Sequence, residues 1–138
     1  MKKEIRNNKG FSLVELIVVI AIMAVLVGVL APQFIKYVEK SRQSTDIQTA
    51  DNIATALKTY YADKELSDPS KPIVVNLSSS TEVGDGNAAV KDAGLKKAKL
   101  KGKWTTPISV SYLPSDGSIT YTGVSDYYVA SGDQFKPE

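Results

Sequence analysis

Residues 11–31 read FSLVELIVVIAIMAVLVGVLA, and only Ser12, Glu15 and Gly28 interrupt the apolar run. As a helix this stretch is about 31 Å long, enough to cross the hydrocarbon core of a bilayer. Pro32 then removes a backbone donor and disfavours helical geometry at Ala31, which predicts a kink or local loosening across Gly28–Pro32. Helical periodicity resumes beyond it. Phe34, Ile35 and Val38 form one apolar cluster, and Ile47, Ala50, Ile53, Ala54, Leu57, Tyr60 and Tyr61 recur at spacings of three and four. Lys40, Gln43, Asp51, Lys58 and Glu65 fall on the opposite face. The pattern predicts one long helix, embedded in its first half and amphipathic in its second, ended at the latest by Asp68-Pro69.

The period then changes. Residues 67–90 hold two prolines, the run Ser78-Ser79-Ser80-Thr81 and the turn-rich Gly84-Asp85-Gly86-Asn87, so they read as a long connector with one short strand at Ile73–Leu77. A short helix follows from Asn87 to Ala93 and stops at Gly94. Ile108, Val110 and Tyr112 alternate with Ser109, Ser111 and Leu113. Pro114-Ser115-Asp116-Gly117 makes a turn, and Ile119–Thr122 returns as a second strand of a hairpin. Tyr127–Ala130 reads as a further strand and Ser131–Glu138 as a loose polar tail. The fold class is α+β, with a three- or four-stranded antiparallel sheet burying its apolar face against the helix of residues 47–61.

Charge changes the picture only at the start of the chain. The 138 residues carry 17 Lys+Arg against 15 Asp+Glu. Lys2, Lys3, Arg6 and Lys9 outweigh Glu4 in the first ten residues, while residues 32–138 balance to zero. The small positive excess therefore belongs to a leader, and it does not mark a polyanion-binding protein. Four basic residues precede the apolar run and three (Lys36, Lys40 and Arg42) follow soon after it, a count that leans towards a cytoplasmic amino terminus.

Candidate chemistry is sparse. With no cysteine and no histidine, disulfide frameworks, thiol catalysis, sulfur or imidazole metal sites and Ser-His-Asp hydrolysis are excluded. Asp116, Asp126 and Asp133 lack the spacing of a calcium loop and read as turn formers, so no metal or cofactor is expected. Asn76-Leu77-Ser78 matches a glycosylation sequon, a pattern that predicts little by itself. The seven tyrosines are expected to pack in the core and sheet. Six lysines lie between Lys91 and Lys103 with Asp92 as the only acid among them. They could bind nucleic acid, but Lys97, Lys99, Lys101 and Lys103 alternate with Ala98, Leu100, Gly102 and Trp104. That is the period of an edge strand with one wet face, and it is the preferred reading.

Glu15 stands out because an ionised carboxylate in a membrane span costs roughly 2.5–3.5 kcal/mol without a partner. A cleaved secretory signal does not explain this segment. The apolar stretch is too long, and Pro32 would directly follow the only small-residue exit, Val29-Leu30-Ala31.

Gly10-Phe11-Ser12-Leu13-Val14-Glu15 after a basic leader resembles the processing signature of bacterial type IV prepilins and the related pseudopilins. The resemblance covers residues 1–66 in motif and pattern and the remainder in general architecture. It implies cleavage between Gly10 and Phe11 by a membrane prepilin peptidase and methylation of the new amine at Phe11. It further implies that Glu15 pairs with the amine of a neighbouring subunit during assembly, two costly charges becoming one register device. Pro32 matches a proline commonly found just past the family's apolar core. The family's carboxy-terminal cysteine pair is absent, which points to a cysteine-free type.

On this reading the chain comprises a leader (1–10), a transmembrane and assembly helix (11–31), an amphipathic helix continuing it (32–66) and a globular connector and sheet (67–138). The implied function is a structural pilin: a single-pass membrane precursor with a cytoplasmic amino terminus, surrounded by membrane lipid, that becomes a homo-oligomeric extracellular pilus. Its implied partners are the prepilin peptidase, an assembly platform and an ATPase. A pseudopilin of a type II secretion or DNA-uptake system shares the same signature and is the alternative. A monomeric membrane-anchored binding domain comes third, and an enzyme last.

Overall fold

The computed structural model describes residues 10–123, 128–131 and 134–137. Helix α1 runs from Leu13 to Tyr61, followed by β1 (Ile73–Leu77), α2 (Ala88–Asp92), β2 (Ile108–Leu113), β3 (Ser118–Thr122), β4 (Tyr128–Ser131) and β5 (Gln134–Pro137). The chain divides into two compact units, one ending at Tyr37 and the other beginning at Val38, and α1 contributes to both.

In the first unit the large apolar side chains from Leu13 to Leu30 are each between 49% and 78% exposed. No soluble monomer presents so continuous an apolar surface to water, so these residues require lipid or other protein around them. Phe34 and Ile35 are equally open, at 68% and 67%.

In the second unit the amphipathic stripe is buried as its spacing predicts. Ile47, Ala50, Ile53, Ala54 and Leu57 join one core with Val75 and Leu77 of β1, Val90 of α2, Ile108, Val110 and Tyr112 of β2, and Ile119 and Tyr121 of β3. Full burial of a side chain such as Ile53 or Leu57 contributes about 1.5–3 kcal/mol. The helix stops at Tyr61, where the Lys64 N–H reaches back to the Tyr61 carbonyl at 3.4 Å. This end comes before both residue 66 and the Asp68-Pro69 stop signal.

β1, β2 and β3 form an antiparallel sheet in that order, with β2 in the centre. Its register stacks Ile73–Tyr112–Ile119 and Val75–Val110–Tyr121 across the inner face, beside Leu77–Ile108. Tyr61 stacks on Tyr112 at 6.2 Å between ring centroids and meets Tyr60 edge-on at 5.0 Å, so these tyrosines are packing residues. On the outer face Ser109 donates its hydroxyl to the Asn76 side-chain oxygen at 2.6 Å. The sequon asparagine therefore lies on a strand and is bonded across the ladder. The Asp116 carboxyl is held below the usual range by the Ser118 hydroxyl and backbone N–H, which places it in the β2–β3 turn as a turn former.

The short helix follows its sequence signals closely. The Asn87 side chain accepts from Ala89 and Val90 N–H groups at 2.9 and 3.3 Å, and Gly94 leaves the helix with φ +72°.

Three expectations are corrected. β4 pairs with β5 in a separate two-stranded sheet, so the strand near Tyr127–Ala130 does not extend the main one, and residues 134–137 of the tail form a strand. Gln43 is buried at 3% exposure, off the polar face to which the helical pattern assigned it. The lysine segment 97–103 is not a strand. It alternates as expected, with Lys97, Lys99, Lys101 and Lys103 exposed while Leu100 and Gly102 are buried, but it joins no sheet.

The reason is a buried carboxylate. Asp46 of α1, 1% exposed, accepts the Lys101 N–H at 2.8 Å on one oxygen, and on the other the Gly102 N–H and the Trp104 indole N–H, both at 2.7 Å. Glu39 accepts the Lys103 N–H, and the Gln43 amide donates to the Lys103 carbonyl at 3.0 Å. Leu100 N–H goes to the Ser78 carbonyl at 2.9 Å. The backbone N–H groups of residues 101–103 that a ladder would have used go to α1 side chains, all carboxylates, which make stronger hydrogen bonds than neutral groups. Residues 96–100 bond the backbone of residues 78–84. Gly102 permits the approach, since a Cβ there would lie 2.8 Å from Gln43 Cγ and 3.1 Å from Asp46 Oδ2.

Asp46→Ala strands three donors and is expected to cost about 3–5 kcal/mol of stability. Asp46→Asn keeps one acceptor oxygen and should cost less, about 1–3 kcal/mol. Urea unfolding of the detergent-solubilised chain, followed by fluorescence of Trp104, its one tryptophan, measures both. Gly123→Ala should be more damaging than Gly94→Ala. Both glycines have positive φ, but a Cβ at Gly123 would sit 1.9 Å from the Pro107 carbonyl oxygen and one at Gly94 meets nothing within 4 Å. The same unfolding curves test the ranking.

Candidate functional site at the amino-terminal segment

Gly10, Phe11 and Ser12 precede α1 in non-helical backbone and all three are exposed, Phe11 at 88%. A Cβ built on Gly10 meets nothing within 4 Å, and its φ is not in the positive region. Among the described residues nothing demands glycine at position 10.

Ser12 and Glu15 cap the helix reciprocally. The Ser12 N–H donates to Glu15 Oε2 at 2.9 Å, and the Glu15 N–H donates to Ser12 Oγ at 3.2 Å. The first helical bond follows from Leu16 N–H to the Ser12 carbonyl at 3.2 Å. This is the capping box, which satisfies two orphan amide groups at the helix start and sets a negative side chain at the positive end of the helix dipole. It also gives Glu15 a partner within its own chain. A carboxylate accepts about four hydrogen bonds, so capacity remains for a second donor.

Gly28 and Pro32 both lie inside α1, four residues apart, among exposed neighbours. Pro32 lacks the N–H that would bond the Gly28 carbonyl, and its ring crowds that same carbonyl. A Cβ on Gly28 also meets nothing within 4 Å. As at Gly10, the residue's smallness serves no contact among the described residues.

Sequence reasoning singled out Gly10, Phe11, Glu15, Gly28 and Pro32, and the structure brings Phe11 and Glu15 into one short segment with Ser12. It overlooked Ser12, although Ser-x-x-Glu before an apolar run is the capping signal. It also overlooked Asp46 and misplaced Gln43. Both stand four residues before apolar stripe positions, Ala50 and Ile47, so the helical period marked them as inward-facing.

Comparison with known proteins agrees with this geometry. Residues 5–31 match the family model of the prokaryotic N-terminal methylation motif. The type IV major pilin protein PilA of Myxococcus xanthus is 36% identical over 59 residues, 43% of this chain and 27% of that protein. The type IV major fimbrial protein FimA of Dichelobacter nodosus is 33% identical over 61 residues, 44% of this chain and 38% of that protein. These matches span less than half the length of those two relatives. The fimbrial protein EcpC of Eikenella corrodens is 32% identical over 129 residues, which cover 94% of this chain and 71% of that protein. No solved structure gives a significant match. The chain belongs to the type IV pilin family, in a cysteine-free form, and is a structural fimbrial subunit, not an enzyme.

Removing the cap tests the local geometry. Ser12→Ala should weaken the helix start by about 1 kcal/mol, so amide exchange at Leu13–Leu16 in micelles should quicken about five-fold while Ile53–Leu57 stays unchanged.

Proposed function

We propose that the chain is made as a prepilin, cut between Gly10 and Phe11 by a prepilin peptidase, methylated on the Phe11 amine, and assembled through residues 11–31 into a helical filament. Before assembly it is held in the membrane by that helix with its amino terminus in the cytoplasm, and an assembly platform and ATPase drive its extraction. The observation that carries this reading is the exposed Gly10–Phe11 junction set directly before a fully exposed apolar helix.

Each residue then has a physical task. The bare Gly10 leaves the peptide bond accessible to the peptidase. Cleavage releases an amine that is protonated over much of the neutral range. Glu15 lies four residues from it, and its carboxylate turns back to the Ser12 N–H next to that amine. Once Ser12 has used one oxygen of the carboxylate, Glu15 still has acceptor capacity for the amine of a neighbouring subunit. The pairing needs no loss of the cap. In the low dielectric of a helical bundle an unpaired carboxylate is costly, so the correct axial register is the one that brings the two charges together. Gly28 and Pro32 give the helix a place to bend or loosen as it passes from lipid into the packed filament.

Two substitutions separate the steps. Gly10→Val should leave the full precursor mass, with no chain beginning at methylated Phe11, because the added bulk meets only the peptidase. Glu15→Ala should be cut and methylated normally yet yield at least ten-fold fewer filaments. Intact-mass spectrometry reads the first result and electron microscopy of sheared surface fibres reads the second. Normal filaments from Glu15→Ala, with normal subunit exchange, would sink the pairing. A wild-type chain that is processed but forms no fibres, and whose deletion impairs secretion or DNA uptake, would favour the pseudopilin reading instead.

A further inference from the structure

Asp46 and Glu39 hold the backbone of residues 101–103 against α1, and the consequence is a row of outward lysines. Lys97, Lys99, Lys101 and Lys103 are all exposed, because the residues between them are the ones directed at the core and the helix. Lys40 and Arg42, also exposed, stand on the same two turns of α1 as Glu39 and Gln43. The two carboxylates of that stretch are turned onto the segment's own backbone: Asp46 is buried under three donors, and Glu39 bonds the Lys103 N–H. Of the other lysines in the segment, Lys96 lies 4.0 Å from Asp85. Among the described residues, six exposed cations thus lie along this segment and the helix turns it is bonded to, and Glu39 and Asp46 there already accept hydrogen bonds from the segment.

Such a patch calls for a polyanion, and the covalent chain decides which. Glu39 is eight residues from Ala31, the last residue of the bilayer-length apolar run. Eight residues span at most about 29 Å even when fully extended. A tether this short keeps anionic headgroups of the host bilayer at a high effective concentration around the patch at all times before assembly, which no soluble polyanion can match. A Lys or Arg held at an anionic membrane surface gains about 1 kcal/mol, a factor of about five, and here the surface is the leaflet opposite the cytoplasmic amino terminus. The balanced charge of residues 32–138 favours the same occupant. With no net charge there, steering of a diffusing polymer from beyond a Debye length is weak, and a tethered contact needs none.

We propose that the strip Lys97–Lys103, with Lys40 and Arg42, binds the anionic phospholipid headgroups of the membrane that holds the precursor, docking the globular unit on the bilayer until assembly withdraws it. The proposal rests on the membrane-anchored reading above. The two can fail separately, because a chain that is not anchored will not enter nanodiscs at all.

The test uses the full chain in nanodiscs of phosphatidylcholine alone or with phosphatidylglycerol. An amine-acylating reagent should modify Lys97, Lys99, Lys101 and Lys103 at least about three-fold more slowly in the anionic discs. The difference should vanish in 1 M salt, where the screening length falls to about 3 Å. Trp104 supplies a second readout. Its quenching by headgroup spin-labelled lipid should be stronger in the anionic discs, and the gain should be lost when the four lysines are changed to glutamine. An unchanged unfolding midpoint of that variant shows that the fold is intact. Equal acylation rates in the two discs at low salt would overturn the proposal. So would protection by added duplex DNA in zwitterionic discs without protection by phosphatidylglycerol, an outcome that assigns the strip to nucleic acid.

Discussion

The globular unit is organised around the carboxylate of Asp46. It links α1 to residues 101, 102 and 104, more than fifty positions away, through three short hydrogen bonds. The segment it holds connects α2 to β2, and β2 is the central strand of the main sheet. Fixing that segment therefore fixes where the sheet begins and which face it turns to the helix. The apolar core supplies most of the driving force, but burial alone is non-directional. The directional constraint comes from a charged acceptor with three donors converging on it, in a place where any missing partner would be costly.

Most of the architecture was legible because it rests on periodicity. The stripe Ile47 to Leu57, the alternation through β2 and β3, the turn at Pro114–Gly117, and the Asn87 and Gly94 boundaries of the short helix are local signals with local causes. The motif at the amino-terminal segment was legible for a different reason. Gly10, Phe11 and Glu15 sit in a short motif with a basic leader before and an apolar run after, and each element is readable without knowing any tertiary contact. Asp46 was not. Its spacing marks it as inward-facing, but nothing local says that an aspartate on a core stripe has a backbone waiting for it fifty-five residues on. Gln43 misled in the same way, its polarity outweighing its position.

The lysine segment shows how a correct pattern can carry a wrong assignment. Alternating burial follows from any extended chain lying along a surface, since successive side chains point to opposite sides. A strand also needs ladder partners for its amide groups. Here the N–H groups go to Asp46, Glu39 and Ser78, and the carbonyls of Lys96 and Ala98 accept from Gly84 and Val83 of the connector. The deciding variable is where the donors end up, and the sequence period does not encode it. The lysines point outward under either geometry, but an edge strand would have given them the task of repelling a neighbouring sheet. A segment sealed onto the helix has no open edge to defend, so their clustering needs another explanation.

α1 finally serves two solvents with two carboxylates, and the contrast between them explains how one helix does both jobs. Asp46 is enclosed and completely satisfied by its own chain. Glu15 is exposed, capped by Ser12, and left with capacity to spare. The core residues beyond Val38, from Ile47 to Tyr121, pack on one another, so substitutions of them act on stability and can be read in the isolated chain. The large apolar side chains of residues 13–30 are all exposed among the described residues, so substitutions of them act chiefly when another molecule surrounds them. Gly28 lies in this apolar stretch, and Gly10 just before it; among the described residues a Cβ on either would meet nothing within 4 Å. A pilin has to be stable alone in a membrane and then stable again among its copies. Dividing one helix into a self-satisfied half and a half that awaits its neighbours meets both conditions without refolding.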